Sequence, residues 1–237
     1  MALFAISDLH LSLSGDKPMD IFSEEWKDHD LKIRENWLKR ITDEDTVLLA
    51  GDLSWSMNMD SSKQELDFVA NLPGRKILIK GNHDYWWGSI TKLNSMYENM
   101  DFIQNNFFVY EDYAICGTRG WILPGSALFK EEDEKIFNRE ILRMRMSLDK
   151  AKKAGYEKII VMIHYPPVNE TFKDSDFTDI FEEYGVEKVI YGHLHGKSLQ
   201  RVMTGYRHGV EYILTSCDFI NFDPIIIKEE KTDTDSL

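Results

Sequence analysis

Short apolar runs, each closed by turn-forming residues, recur along the chain at residues 3–6, 47–50, 77–79, 159–163, 189–191 and 212–214. Runs of this length bounded by Gly, Asp, Asn or His predict buried strands. Between them the apolar spacing changes to that of a helix. Trp26, Ile33, Trp37 and Ile41 fall on one helical face, as do Phe137, Ile141, Met144, Leu148 and Ala151. Strands alternating with helices predict an α/β layered fold. Residues 107–110 and 113–116 flank Glu111-Asp112 as an antiparallel hairpin would, and 199–206 and 210–214 flank His208-Gly209 in the same way. Pro224 opens a last apolar run that ends at Ile227. The sheets are therefore expected to be mixed. No internal repeat and no linker rich in Pro, Gly or Ser divides the chain.

Composition narrows the class. The 237 residues are 43% hydrophobic and 29% charged, which excludes collagen-like and disordered classes. The net charge of -13 disfavours nucleic-acid backbones and anionic lipid surfaces as partners, and any anionic substrate needs a local positive site. Two cysteines, Cys116 and Cys217, suggest free thiols in a reducing compartment. The first apolar run is too short for a signal peptide, and no stretch approaches the ~18 apolar residues of a membrane span. A cytoplasmic location is the resulting expectation.

The candidate chemistry follows the strands: Asp8-Leu9-His10, Gly51-Asp52, Gly81-Asn82-His83-Asp84, His164, and Gly192-His193-Leu194-His195. The carboxyl ends of parallel strands share one edge of a sheet, so groups far apart in sequence converge there. Nitrogen and oxygen donors suit Mn, Fe, Zn or Co and argue against a thiolate-selected metal. Asp8 and His10, two apart on a segment expected to be extended, point the same way and can share an ion, as can His193 and His195. Two such pairs suggest two ions, with Asp52 as a bridging carboxylate, Asn82 a carbonyl donor and His164 an imidazole. Each piece alone has a plainer reading. Asp-x-His and Gly-Asp are ordinary turns, Asp84 is a helix cap, and His164 is a hydrogen-bonded core histidine. Coincidence explains the ordered set poorly.

That ordered set resembles the calcineurin-like metallophosphoesterase superfamily. The resemblance implies a four-layer α/β/β/α sandwich over a single domain at 1–228, leaving 229–237 as an acidic tail expected to fray. It implies a first metal held by Asp8, His10, Asp52 and His195, and a second held by Asp52, Asn82, His164 and His193. His83 becomes a catalytic histidine that binds no metal, and Asp84 the residue that orients it. The chain departs from the protein serine/threonine phosphatases of the superfamily, which carry an arginine after the second motif and Gly-Asn-His-Glu as the third. Here the second motif continues Leu53-Ser54-Trp55-Ser56 and the third ends in Asp84.

The implied mechanism is attack on phosphorus by a metal-bridging hydroxide, with His83 protonating the leaving oxygen. Two dications, two carboxylates and a hydroxide leave the centre at a net charge of about +1, a local anion trap. Arg119, just past a predicted strand, is a candidate clamp on a phosphate oxygen. Tyr85-Trp86-Trp87 reads as packing more than as a cleft wall, and His29 as packing against Ile33 and Trp37. The expected enzyme is a phosphoric ester hydrolase favouring small phosphodiesters. The alternatives are a phosphomonoesterase or serine/threonine protein phosphatase on the same centre, and a scaffold of this fold without catalysis.

Overall fold

The computed structural model describes residues 1–13 and 17–229. Its elements in chain order are β1 (Ala2–Ile6), α1 (His29–Arg40), β2 (Thr46–Leu49), α2 (Lys63–Ala70), β3 (Arg75–Ile79), α3 (Ile90–Leu93), β4 (Met100–Ile103), β5 (Phe108–Tyr110), β6 (Tyr113–Thr118), α4 (Glu131–Lys153), β7 (Lys158–Ile163), α5 (Asp176–Glu183), β8 (Lys188–Tyr191), β9 (Gly205–Arg207), β10 (Val210–Leu214) and β11 (Ile225–Glu229).

These strands form two mixed sheets. The first has the order β11-β1-β2-β3-β4 and the second β5-β6-β7-β8-β10-β9. Strands β1 to β4 run parallel with β11 antiparallel at the edge. In the second sheet β6, β7, β8 and β10 are parallel, and β5 and β9 close the edges antiparallel. Side chains alternate between the faces of a strand, and three apolar layers result. Leu3, Ala5, Leu48, Ile77 and Ile79 meet Ile115, Ile160, Met162 and Ile190 between the sheets. Phe4, Ile6, Val47 and Leu49 turn outward onto Ile33 and Trp37 of α1 and Leu66 and Val69 of α2. Val161 and Val189 turn the other way onto Phe137, Met144 and Leu148 of α4 and Phe177 and Phe181 of α5. The α/β/β/α sandwich is thus the observed architecture, because the central strands carry apolar side chains on both faces and need two covers.

Three details differ from the sequence reading. The run 199–206 is not one strand: a 3-10 turn occupies Gly196–Gln200, and β9 keeps three residues at the sheet edge. Trp26 lies in a 3-10 turn ahead of α1, although it remains buried. Elements β4, α2, α3 and α5 were not anticipated. The signal for α5 was present, since Ser175 and Thr178 form a capping box before Phe177, Ile180 and Phe181. Glu229, first residue of the expected tail, ends β11, and the rest of that tail at 230–237 lies outside the described residues. No helix among the described residues is long and apolar enough to cross a membrane.

Candidate metal centre

Every motif of the sequence reading emerges at the carboxyl end of a parallel strand. Asp8 and His10 follow β1, Asp52 follows β2, Asn82 and His83 follow β3, His164 follows β7, and His193 and His195 follow β8. The first three turns come from one sheet and the last two from the other. Backbone bonds join the turns: Asp8 N–H donates to Gly51 C=O at 2.9 Å and His10 N–H to Asp52 C=O at 3.0 Å. His193 N–H reaches Asp8 Oδ1 at 3.0 Å, and His83 N–H reaches Asp52 Oδ1 at 2.7 Å.

Asp8, His10, Asp52 and His193 all have left-handed backbone, with φ of 59°, 45°, 53° and 73°. Non-glycine residues rarely adopt this region, and four at one site mark a backbone bent to aim side chains. The bend corrects the expectation that Asp8 and His10 lie on an extended segment. The donors fall into the two groups that the resemblance implies, and not into the His193–His195 pair that spacing alone suggests. Asp8, His10 and His195 offer atoms within 4.8 Å of one another, and Asp52, His164 and His193 do the same. His193 and His195 therefore serve different groups, since their intervening turn sends the two rings apart. Two glycines allow the turns to close. A Cβ at Gly81 would lie 2.1 Å from Asp52 Oδ1, and one at Gly192 would lie 2.2 Å from Asp8 Oδ2.

The donor atoms fit cations. His10 Nε2 and His195 Nε2 are 3.4 Å apart, and Asp8 Oδ1 lies 3.1 Å from the latter. Asn82 Oδ1 sits 2.8 Å from both His164 Nε2 and His193 Nδ1. Asp52 Oδ2 is 3.3 Å from His164 Nε2 and 3.8 Å from His10 Nε2, so one carboxylate oxygen faces both groups. Burial alone would push the carboxyls of Asp8 and Asp52 up, yet the imidazoles of His195 and His164 respectively outweigh it and hold both below the usual range. In return, and against the opposing effect of burial, Asp8 and Asp218 raise His195 to about 10 and Asp52 raises His164 to about 9. Burial dominates at His10 and His193, lowered to about 4 and about 3. Buried carboxylates that draw positive charge onto themselves provide the electrostatics a cation needs.

His83 stands beside this cluster, its ring 5.6 Å from that of His10, and burial lowers its pKa. Asp84, expected to orient that ring, bonds elsewhere. Its carboxylate accepts N–H groups of Gly81 at 2.7 Å, Asp52 at 2.9 Å and Leu53 at 2.9 Å, and the Trp86 indole at 3.0 Å. A buried carboxylate seeks N–H donors, and the two turns supply them, so Asp84 clamps backbone. Trp86 and Trp87 are core residues while Tyr85 is exposed. His29 packs as expected, with Nδ1 3.0 Å from the Trp26 carbonyl. The guanidinium of Arg119 lies 3.6 Å from Glu140 and over the Trp121 ring at 4.3 Å.

Two residues at the site escaped the sequence reading. Asp218 Oδ1 lies 2.8 Å from His195 Nδ1, orienting the imidazole from behind. Its signal was available, since it follows β10 as the other groups follow their strands. Trp55 stacks on His10 with centroids 4.9 Å apart and touches the His83 ring at 4.1 Å. A lone tryptophan after the second motif gave no comparable signal.

A cleft of about 350 Å³ adjoins the cluster at His193, lined by Trp121, Leu123, Tyr165, Leu194 and Met203. Comparison with known proteins places the chain in a family. The family model for calcineurin-like phosphoesterases matches residues 1–197. The Gene 66 protein of Mycobacterium phage D29 is 25% identical over 181 residues, 76% of this chain and 72% of the phage protein. Its counterpart from Mycobacterium phage L5 is 32% identical over 78 residues, 33% of this chain and 37% of that one. Among solved structures, a phosphopantetheinyl hydrolase of Mycobacterium tuberculosis superposes with a TM-score of 0.57 at 17% identity, covering 91% of this chain and 88% of its own. An Aquifex aeolicus protein of unknown function superposes with a TM-score of 0.52 at 18% identity, over 95% of both chains. These structural likenesses are of fold. With the family model spanning every motif from Asp8 to His195, the chain belongs to the calcineurin-like phosphoesterases, hydrolases of phosphoric esters.

Proposed function

We propose that the chain hydrolyses small phosphodiesters at a dinuclear centre held by Asp8, His10, Asp52, Asn82, His164, His193 and His195. The observation that carries this reading is Asp52 Oδ2, which faces His10 of one donor group and His164 of the other. A carboxylate between two clusters is what two neighbouring cations require. The nitrogen and oxygen donors fit Mn, Fe or Zn. When bound, such ions polarise phosphoryl oxygens and lower the pKa of water toward ~7.

The remaining work falls to side chains. The Asp84 clamp fixes the turns that present Asp52 and Asn82, so the donors are placed before substrate arrives. The His83 imidazole is half-buried, which lowers its pKa, and an incoming phosphate anion raises its basicity so that it takes up a proton from solvent. It then holds the proton that the leaving oxygen takes. The cleft beside His193 is lined mainly by apolar side chains, with Glu170, Lys197 and Arg201 among them, and is of a size to hold one organic ester group, which supports a substrate bearing such a group on phosphorus. Two buried, unpaired cysteines support residence in a reducing compartment.

Elemental analysis of protein reconstituted with excess Mn tests the centre. Two ions per chain are expected, and Asp52→Asn should lower occupancy at both positions. One ion or none in the parent protein defeats the dinuclear reading, and an unchanged count in the variant defeats the bridge.

A further inference from the structure

Beside the metal centre, at the ends of β3, β4 and β6, a second cavity of about 190 Å³ lies under α4. Its wall holds four cationic side chains, Lys80, Arg119, Arg139 and Arg143, with a single carboxylate, Glu140. Glu140 is fully buried. Its Oε2 accepts the Thr118 hydroxyl at 2.6 Å, which leaves Oε1 to face Arg143 at 2.9 Å, Arg139 at 3.5 Å and Arg119 at 3.6 Å. One carboxylate cannot neutralise this group. Arg119 Nε is buried without a hydrogen-bond partner, and the Lys80 ammonium, repelled by Arg119 and Arg143 and attracted by Asp84 and Glu140, makes no ion pair within 4 Å among the described residues.

The side chains of Arg139, Arg143 and Arg119 are 52%, 32% and 15% exposed, so Arg119 is the arginine held most out of water, where an unmatched charge is costly. Here positive charge is left over, in a chain whose net charge is -13. We infer that this cavity binds a compact oxyanion with the chemistry of phosphate, whose oxygens meet the Lys80 ammonium, Arg119 Nε and the free edges of Arg139 and Arg143. The room suits it: a water's share of volume is ~30 Å³, so the cavity takes a tetrahedral anion and some hydration but no large organic group. Guanidinium groups match phosphate geometry better than a point charge does. Occupancy would also brace the reactive edge. Lys80 directly precedes the Gly81 to Asp84 turn, and the Arg119 carbonyl accepts the N–H groups of His164 and Tyr165 at 3.1 and 3.0 Å. The anion is either free phosphate or a second phosphate carried by the substrate.

Calorimetric titration of inorganic phosphate separates this site from the metal centre. Chelator-treated protein should retain one saturable phosphate site per chain, and Arg143→Gln and Lys80→Met should each weaken it at least tenfold. Because Lys80 makes no ion pair among the described residues, Lys80→Met should melt no lower than the parent without phosphate and gain less from adding it. Absence of saturable binding in metal-free protein, or binding unchanged in both variants, overturns the inference. Neither outcome depends on the metal count, so the two readings fail separately. Titrating Mn-loaded protein with an alkanediol bisphosphate identifies the source. Affinity a hundredfold above phosphate that is lost in Lys80→Met assigns the cavity to a substrate phosphate, and equal affinities assign it to the free ion.

Discussion

His83 is held by backbone bonds to Asp52 and Tyr85 and by the rings of Trp55 and His10, while its imidazole nitrogens make no hydrogen bond among the described residues. Removing the ring should leave metal content unchanged, because the backbone N–H that reaches Asp52 survives in alanine. The loss should instead depend on the leaving group. Nitrophenolate, with a pKa near ~7, leaves without much protonation, whereas an alkoxide needs a proton. His83→Ala should therefore lower kcat on alkyl esters by ~10²-fold or more and on nitrophenyl esters by clearly less. Equal losses on both, or loss of metal, would show that His83 does not act as the proton donor. Asp84 belongs to a different category of residue, since it acts through the backbone of its neighbours.

At the scale of elements, β3 shows how a strand feeding the site is built at its other end. Lys76 is fully buried there, its ammonium held by the Leu72 and Ala70 carbonyls at the end of α2. Burial pushes its pKa from 10.5 down to about 8. A lysine with a depressed folded-state pKa penalises folding while charged, and the penalty, on the order of 3 kcal/mol here, is fully felt below about pH 8. Between about 8 and 10.5 the folded chain is neutral at Lys76 while the unfolded chain still holds its proton, so stability rises with pH. Urea denaturation at pH 7.5, 8.5 and 9.5 should therefore show the parent gaining on Lys76→Met by up to ~1.4 kcal/mol per unit. Parallel profiles would mean that Lys76 does not titrate in this window.

For the whole molecule, charge is unevenly spread. A strongly acidic chain concentrates imidazoles, and a cavity of cations, at one edge of the sandwich. A net acidic chain disfavours each further negative charge on a substrate, and the cleft beside His193 offers only two cations, Lys197 and Arg201, alongside the carboxylate of Glu170. On the reading proposed above, a diester monoanion bearing an apolar group suits the site better than a monoester dianion. Bis-nitrophenyl phosphate should then be turned over with a kcat/KM at least equal to that of nitrophenyl phosphate at neutral pH with excess Mn. A hundredfold monoester preference, about 2.7 kcal/mol, would return the phosphomonoesterase alternative to first place.

The layer order and the donor set were legible because both are written locally. An apolar run of period two needs covers on both faces, and a His, Asp or Asn directly after such a run lies at the strand's carboxyl end whatever the rest of the chain does. Nine of the strands, both long helices and all seven candidate donors were legible in this way. The partition of those donors came from the family resemblance and not from local spacing, which pairs His193 with His195. His193 and His195 are separated by one residue yet face different clusters, because the left-handed backbone at His193 is imposed by its bond to Asp8, 185 residues away. The tertiary structure also made Asp84 a backbone clamp, set Trp55 and Asp218 against the histidines, and drew Arg119 toward Glu140 on α4. Each depends on which turn lies beside which, and only the packing of the two sheets decides that.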